Sequence, residues 1–450
     1  MKPSTFALLP RASWLAPLAL LPLVAGCLHD DDDDKDGLSD SAAASTFDSE
    51  LARAWMNQMY ALVKSNGTTP PPASRIYGYC GVALYEACVN GMSDHNSLEG
   101  QLNGLAGLPN PTNAIHHWPS VANRCMAVMA SSFYSGNQAT IDALEAGFDA
   151  TYDGSVAAAV RTRSIQYGED LANAILAWAA TDGFAGLAAC NAAYTPPGNP
   201  GDWTGTGTGL QPCWGALRTF VVTDSLECQP VNPPPFSTAT SSEWYAEALQ
   251  VYNVTGDAGA SLTVDQAAIA NYWADGPTAT GTPPGHWVCI VGVVTEDPAY
   301  DQLDIAAEAY ARVGMAVADA FITCWQTKYD TYLQRPITYI QANIDAGWSP
   351  LLSTPNFPTY TSGHSTQSGA ASTVLTDMFG PIPFTDTTHS DLDPELGFTD
   401  RSFDNFVQAA QEAAVSRLYG GIHYVFDNAE GFNSGACIGN IINASVEFSK

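Results

Sequence analysis

From about Ile305 the chain runs through an apolar, Ala-rich stretch of helical character that ends Trp325-Gln-Thr-Lys328-Tyr-Asp-Thr-Tyr-Leu-Gln-Arg335-Pro336. Any fold built on this stretch has to accommodate two cations on an otherwise apolar helix. Lys328 and Arg335 are seven residues apart, close to two helical turns. Both are therefore expected to point from one face toward one spot, with Pro336 disfavouring further helix at Arg335. No acid stands at a helical spacing that would pair them, since Asp330 and Asp301 do not fit that role. Cations stacked in this way repel unless an anion lies between them; the ordinary alternative is two separately solvated surface charges. Composition sharpens the point, because 16 Lys and Arg face 46 Asp and Glu, and scarce residues that occur in pattern carry more information.

A second stretch, from Phe357 to Ala370, reads Phe-Pro-Thr-Tyr-Thr-Ser-Gly-His-Ser-Thr-Gln-Ser-Gly-Ala, a loop that turns directly into a helix. Pro355 and Pro358 keep the entry extended, Thr361, Ser362 and Gly363 suit a helix start, and the small and apolar run from Ser365 to Phe379 stops at Gly380-Pro381. A helix N-terminus offers unpaired N–H groups and a partial positive charge. An oxyanion held by the Gly363 N–H and the Ser362 hydroxyl is physically natural there, with His364 beside it as an acid or base. Taken alone, Ser-Gly-His is more often only a helix cap. The third stretch is Ser416-Arg417-Leu-Tyr-Gly-Gly-Ile-His423-Tyr-Val-Phe-Asp427. Gln408 to Leu418 reads as a helix, Gly420-Gly421 interrupts it, and a new turn begins around His423. Asp427, four residues on, is placed to accept the Nδ1 proton of His423 and leave Nε2 facing the site. A buried histidine satisfied by a carboxylate is common in ordinary cores; Arg417 just before it makes that reading less comfortable.

In this order, Lys-x6-Arg-Pro, Ser-Gly-His and Ser-Arg-x5-His-x3-Asp resemble the three-part signature of the vanadium-dependent haloperoxidases and of the acid phosphatases of the phosphatidic-acid phosphatase type 2 superfamily. It is met by Lys328, Arg335, Pro336, Ser362, Gly363, His364, Ser416, Arg417, His423 and Asp427. One departure is Thr361, where the family usually has Pro. Trp325 and Phe357 resemble the aromatic pair lining the halide side in several haloperoxidases; algal bromoperoxidases carry a His at the second position. The block from Asn271 to Trp287 resembles one in bacterial haloperoxidase-like proteins, from which Asp275 is expected to buttress Arg417.

The resemblance, firm over roughly 260–445 and loose before it, implies an all-α protein of helical bundles with the active site at the bundle core. It implies vanadate as cofactor, bonded to His423 Nε2, neutralised by Lys328, Arg335 and Arg417, and hydrogen-bonded by Ser362 and Gly363. Hydrogen peroxide and halide would be the substrates, with His364 moving the proton and Lys328 polarising the peroxide. Bacterial iodide oxidisers are the nearest in spacing, so iodide is the expected halide, with bromide and chloride activity a separate question. The rival within the superfamily is a phosphomonoester or lipid-phosphate hydrolase, with His423 as nucleophile and His364 protonating the leaving alcohol. Phosphate matches vanadate in charge and shape and would compete for the pocket; Trp325 and Phe357 favour the peroxidase. A catalytically silent envelope scaffold is a third reading, opposed by the complete set of site residues.

The remainder of the chain supplies the setting. Met1 to Gly26 has Lys2, Arg11 and an apolar run too short to span a bilayer as a mature helix, and it ends Leu23-Val24-Ala25-Gly26-Cys27, which resembles a bacterial lipobox. That implies a signal peptide over 1–26, lipid attachment at Cys27 and an envelope lipoprotein whose only membrane contact is the anchor. The acidic, Ser/Ala-rich stretch 27–45 is expected to be a disordered tether, and 46–450 one helical domain with its catalytic blocks in 260–445. Helical spacing covers Thr46–Val63, Ile76–Val89, Val121–Phe133, Ile141–Tyr152 and Val156–Thr181, whereas Asn191–Ser242 reads as a long ordered loop or lid. Nine cysteines follow Cys27. Cys190, Cys213 and Cys228 are the expected disulfide pool, and Cys80, Cys88 and Cys324 are expected buried thiols, with the pairing open across these and Cys125, Cys289 and Cys437. A formal charge of −30 argues against nucleic acid and anionic membrane surfaces as partners. Oligomeric state and any organic substrate are not legible.

Overall fold

Fifteen α-helices make up most of the described residues, 41–450, of the computed structural model. The leader, Cys27 and the acidic part of the tether lie outside the described residues. Packing is already established upstream of residue 46: Ser41 Oγ accepts from His116 N at 2.9 Å and Ala44 N donates to Gly91 O at 2.9 Å.

The first half contributes α1 (Glu50–Ser65), α2 (Pro70–Val89), α3 (Trp118–Phe133), α4 (Gln138–Tyr152), α5 (Ala158–Ala179) and the short α6 (Leu187–Ala193). Each of the five helices expected from periodicity here is present, with ends shifted by a few residues. α2 starts earliest relative to expectation because Pro70, at its first position, has the φ a helix needs and no N–H to strand. After a long connection come α7 (Glu243–Thr255), α8 (Val264–Tyr272), α9 (Thr282–Thr295) and α10 (Leu303–Thr331), then α11 (Pro336–Asn343) and α12 (Gly363–Phe379). A small antiparallel pair, β1 (Phe384–Asp386) with β2 (Arg401–Phe403), brackets α13 (Thr388–Leu392), and α14 (Phe406–Tyr419) and α15 (Val425–Ser445) complete the chain. The fold is all-α apart from that pair.

α10 is the axis. Its 29 residues span roughly 44 Å at about 1.5 Å per residue, and it packs against α1, α2, α9, α12 and α15. The Gly- and Ala-rich composition lets backbones approach closely: a Cβ on Gly81 of α2 would lie 2.4 Å from the Tyr310 carbonyl of α10, and one on Gly435 of α15 would lie 1.9 Å from the Thr366 carbonyl of α12. Such contacts leave no room for a larger side chain, so these helix pairs are locked in register and carry the site residues on rigid supports.

The segment 194–242 has no α-helix and only a 3-10 turn at Trp214–Ala216. Disulfides Cys190–Cys213 and Cys228–Cys437 pin it, the second tying it to α15. The expected pool is thus paired, with Cys437 as the fourth member, and Cys80, Cys88, Cys125, Cys289 and Cys324 remain buried thiols. No single helix among the described residues is long and apolar enough to cross a membrane.

Candidate active site

The three patterned stretches meet, although not by the path the spacing suggests. α10 stops at Thr331: Tyr332 takes a left-handed conformation (φ 51°) and donates its N–H to Lys328 O. Arg335 therefore arrives as the extended N-cap of α11 (φ −74°, ψ 157°), and the expectation of one two-turn helical face for both cations is corrected. Its guanidinium lies over Phe357, 4.8 Å from the ring centroid, with Lys328 Nζ 5.2 Å from the same ring.

Lys328 is fully buried, and its ammonium donates to the carbonyls of Pro358, Thr359 and Thr361. With all three donors used, it acts as the pin that folds the 358–361 loop around a positive charge. Arg335 donates through Nε to Phe357 O at 2.9 Å and through Nη1 to Ile422 O at 2.8 Å and His423 Nε2 at 2.9 Å. His423 in turn donates from Nδ1 to Asp427 Oδ2 at 2.8 Å. Asp427, in the first turn of α15, also accepts from Tyr424 N at 3.1 Å and from the Thr359 hydroxyl. These bonds fix the tautomer: the proton sits on Nδ1 and the lone pair on Nε2.

On the other side, Ser362 caps α12 by accepting from Ser365 N at 3.3 Å, which puts Gly363 and His364 in the first turn. Arg417, at the end of α14, donates from Nη1 to the Trp273 carbonyl at 2.9 Å. The same carbonyl lies near the His364 ring and favours its charged form, and His364 Nε2 has no partner. Ser416 turns away and bonds Ala413 O at 2.6 Å.

Electrostatics single this region out. Burial depresses the pKa values of Lys328, Arg335 and Arg417 below their usual values, with repulsion from a neighbouring arginine adding to it for the first two. Arginine nevertheless stays charged, so the depression measures a cost carried by buried cations that an anion would relieve. Burial, followed by these same cations, holds His364 and His423 well below the ordinary histidine range, so both rings are neutral bases near neutral pH. Helix ends add to the field, since the first turns of α2 (Pro70), α9 (Pro283) and α12 (Gly363, His364) line one cleft together with Arg417 and His423. Its remaining wall is apolar: Phe321, Trp325 and Phe357 with Pro355 and Ile422, the Trp325 and Phe357 ring centroids being 5.0 Å apart.

The cleft holds a cavity of about 40 Å³, enough for a small oxyanion on a scale where one water needs about 10–15 Å³. Arg335 Nη2, Arg417 Nε and His364 Nε2 are buried in this region without partners. A Cβ on Gly363 would stand 3.5 Å from Trp325, in ordinary contact with the aromatic wall. Two guanidiniums, a helix N-terminus and an imidazole lone pair fit a tetrahedral oxyanion that can accept that lone pair, as vanadate can.

A solved bacterial vanadium-dependent iodoperoxidase superposes on this fold with a TM-score of 0.81 at 33% identity, covering 90% of this chain and 98% of the other. The chain belongs to the vanadium-dependent haloperoxidases. A family model described as the VCPO second helical-bundle domain matches residues 308–448 of this haloperoxidase, the span containing all three stretches. Vanadium chloroperoxidase of Curvularia inaequalis is 26% identical over 44% of this chain and 43% of its own length, so the match spans less than half of that relative. A holo-type bacterial vanadium-dependent chloroperoxidase shares the fold, with a TM-score of 0.64 at 15% identity over 84% of this chain and 92% of that one. Membership makes this an enzyme of peroxidase type, and the phosphatase reading is not favoured.

Of the residues singled out in the sequence of this haloperoxidase, Trp325, Lys328, Arg335, Phe357, Ser362, Gly363, His364, Arg417, His423 and Asp427 come together. Asp275 stands behind this set: it accepts from His286 Nδ1 at 2.8 Å and, without a direct hydrogen bond to Arg417, favours the charged guanidinium as a nearby carboxylate. Sequence reasoning missed Thr359, Phe321, Pro70, Pro283 and the Trp273 carbonyl. Trp273 lay inside the block around Asp275; Phe321 and the prolines gave no signal because they contribute an apolar surface, and Thr359 gave none because a lone threonine hydroxyl in a loop has no pattern. The 194–242 segment backs the aromatic wall, since Leu210 O accepts from Trp325 Nε1 at 3.0 Å and Tyr329 OH at 2.7 Å.

Proposed function

We propose that this chain oxidises halide, iodide first, with hydrogen peroxide in a vanadate-dependent reaction that yields hypohalous acid or its equivalent. The observation that carries this reading is the His423 Nε2 lone pair, locked by Asp427 and surrounded by cations that find no acid partner. His423 would hold vanadate through Nε2, with Arg335, Arg417 and the ammonium of Lys328 balancing its charge and the Gly363 N–H and Ser362 hydroxyl bonding its oxygens. When bound, vanadate supplies a Lewis-acidic centre that activates peroxide toward halide without changing oxidation state. His364, neutral and with Nε2 unpartnered, takes the proton of incoming peroxide and returns one on the way to product. Trp325 and Phe357 give a polarisable, water-poor wall against which iodide, the easiest halide to oxidise, can approach. The iodide assignment is supported by these rings and by the iodoperoxidase relative.

The test is halide oxidation by purified protein stripped of metal and phosphate, with peroxide and iodide, bromide or chloride, before and after orthovanadate. Activity that requires vanadate and is suppressed by excess phosphate is the expected result, with iodide fastest. Phosphate-ester hydrolysis inhibited by vanadate, without halide oxidation, would overturn it. We also infer lipid attachment at Cys27 and an envelope location; loss of labelled-lipid incorporation in Cys27→Ser is the expected check.

A further inference from the structure

Behind Arg417 and His364 lies a second cluster of buried ionisable groups that takes no part in the chemistry proposed above. His286 of α9 is completely buried, with Nδ1 2.8 Å from Asp275 Oδ2 and Nε2 2.8 Å from Asp386 Oδ2. His389 of α13 places Nδ1 3.1 Å from Asp393 Oδ2 and Nε2 2.9 Å from the Tyr272 carbonyl. Asp393 continues outward to the Tyr60 hydroxyl and to Lys64 Nζ, 2.7 Å away. The cluster thus joins α1, α8, α9, β1 and α13.

What it grips is the short segment Tyr272 to Asp275. His389 holds the carbonyl of Tyr272, and the His286 ring stacks on Trp273 at 4.4 Å with a 19° tilt. His286 also holds the carboxylate of Asp275, a residue in left-handed conformation (φ 45°). Fixing a carbonyl on one side, a ring in the middle and a carboxylate on the other leaves the intervening peptide no freedom. That peptide carries the Trp273 carbonyl, the only acceptor of Arg417 among the described residues and a neighbour that favours the charged form of the His364 ring.

We infer that His286, seconded by His389, is a positioning residue for the oxyanion site, acting through the Trp273 carbonyl on the Arg417 guanidinium and the His364 ring. The inference rests on the oxyanion-site reading above and adds to it a set of residues outside the three patterned stretches. Burial opposes charge on His286, but Asp275 and Asp386 outweigh it and raise its pKa to about 10, so the ring is an imidazolium clamped at both nitrogens. Asp275, His286 and His389 also bring three ligand atoms within 4.8 Å of one another, a spacing that a metal ion could use. The ring nitrogens argue otherwise. Each already faces an oxygen at hydrogen-bond distance, and a metal-bound nitrogen directs its lone pair at an ion about 2.0–2.1 Å away rather than toward a carbonyl.

The experiment titrates metal-free protein with inorganic phosphate by calorimetry for wild type, His286→Gln, His286→Ala and a control, Met129→Ala, which removes core from the distant α3. Folding is followed by circular dichroism and thermal melting. Expected are an affinity at least tenfold weaker for both His286 variants and one within twofold of wild type for the control at a comparable loss of melting temperature. Wild-type affinity in a folded His286→Gln, or equal weakening in the control, would overturn the inference. Should the His286 variants not fold, Asp386→Asn and His389→Gln face the same criterion. Stoichiometric zinc in the native protein that disappears in His389→Gln would also overturn it. If the wild type itself binds neither phosphate nor vanadate, the oxyanion-site reading fails instead, which keeps the two failures apart.

Discussion

Two clusters of buried charge share the Tyr272–Asp275 segment and differ in one respect. Around His423 cations outnumber acids: Lys328, Arg335 and Arg417 have carbonyls and an imidazole for partners, and Asp427, the one carboxylate there among the described residues, is spent on His423 and the turn that follows it. Around His286 the charges alternate, with each ring nitrogen facing an oxygen and Lys64 closing the outer end. Both are deep in the protein, where an unpaired charge is costly and a well-bonded pair is tolerated. The difference separates a site from a scaffold. A protein retains same-sign charges without counter-ions only where something outside the chain is to supply them.

The largest expected effect removes the atom on which the cationic cluster converges. His423→Ala should lower vanadate-dependent iodide oxidation by at least about 100-fold, the usual scale for deleting a group that bonds the reacting centre. Steady-state iodide oxidation at saturating vanadate measures it, and retention of a tenth of the activity would refute the Nε2 assignment. Arg417→Met comes next and has two expected signs. Vanadate affinity should fall on the order of 10–100-fold, while the metal-free protein should melt higher than wild type, because a buried cation with a single acceptor has been replaced by an apolar chain of similar length. A lower melting temperature would show that the cation is stabilising by itself and that the two clusters do not differ in the way argued.

The scaffold should respond oppositely. Asp386→Asn keeps the shape but removes a charge partner of His286, at a cost of about 3 kcal/mol near neutral pH. The pH dependence follows from the signs of the shifts. His286 is raised to about 10 against the burial that opposes its charge, so its contribution is complete below the ordinary histidine range near 6.5 and is lost as pH rises through about 10. Burial would raise Asp386, but His286 and the Thr388 hydrogen bonds bring it down to about 2, so its contribution is complete above about 4 and is lost as pH falls toward 2. Denaturant midpoints for wild type minus Asp386→Asn should therefore differ most between pH 4 and 6.5 and converge at both extremes. A difference independent of pH would make the pair a packing contact only.

The same contrast explains what was legible in the sequence. The helices were, because apolar periodicity and Gly-Pro-Asn punctuation are local signals, and so was the His423 site, because Lys328, Arg335 and Arg417 stand out in a chain poor in cations. The path of Arg335 was not: nothing marks Tyr332 as the left-handed residue that ends α10. Nor was the scaffold, since Asp275 and His286 stand 100 residues or more before Asp386 and His389 and meet them only through packing of α9 against β1 and α13. Cys437 escaped for the same reason. Same-sign charge concentrates into short motifs that a reader can see; paired charge is spread across the fold.

The smallest effect concerns the wall between the cationic cluster and the 194–242 segment. Trp325→Phe keeps an aromatic face beside Phe357 but removes the N–H that holds Leu210 O, a carbonyl that Tyr329 OH still engages. One neutral hydrogen bond contributes about 0.5–1.5 kcal/mol, and since its partner carbonyl keeps a donor, stability should fall by no more than that. The cationic groups do not touch Leu210, so vanadate affinity should stay within about twofold. On the proposed reading, in which iodide approaches along this wall, it would meet a smaller and less polarisable ring, and a loss of about 1 kcal/mol in its approach corresponds to a rise in KM of roughly fivefold at nearly constant kcat. If vanadate affinity fell instead while the iodide KM held, Trp325 would belong to the cofactor's support and the aromatic wall would not be the halide side of the cleft.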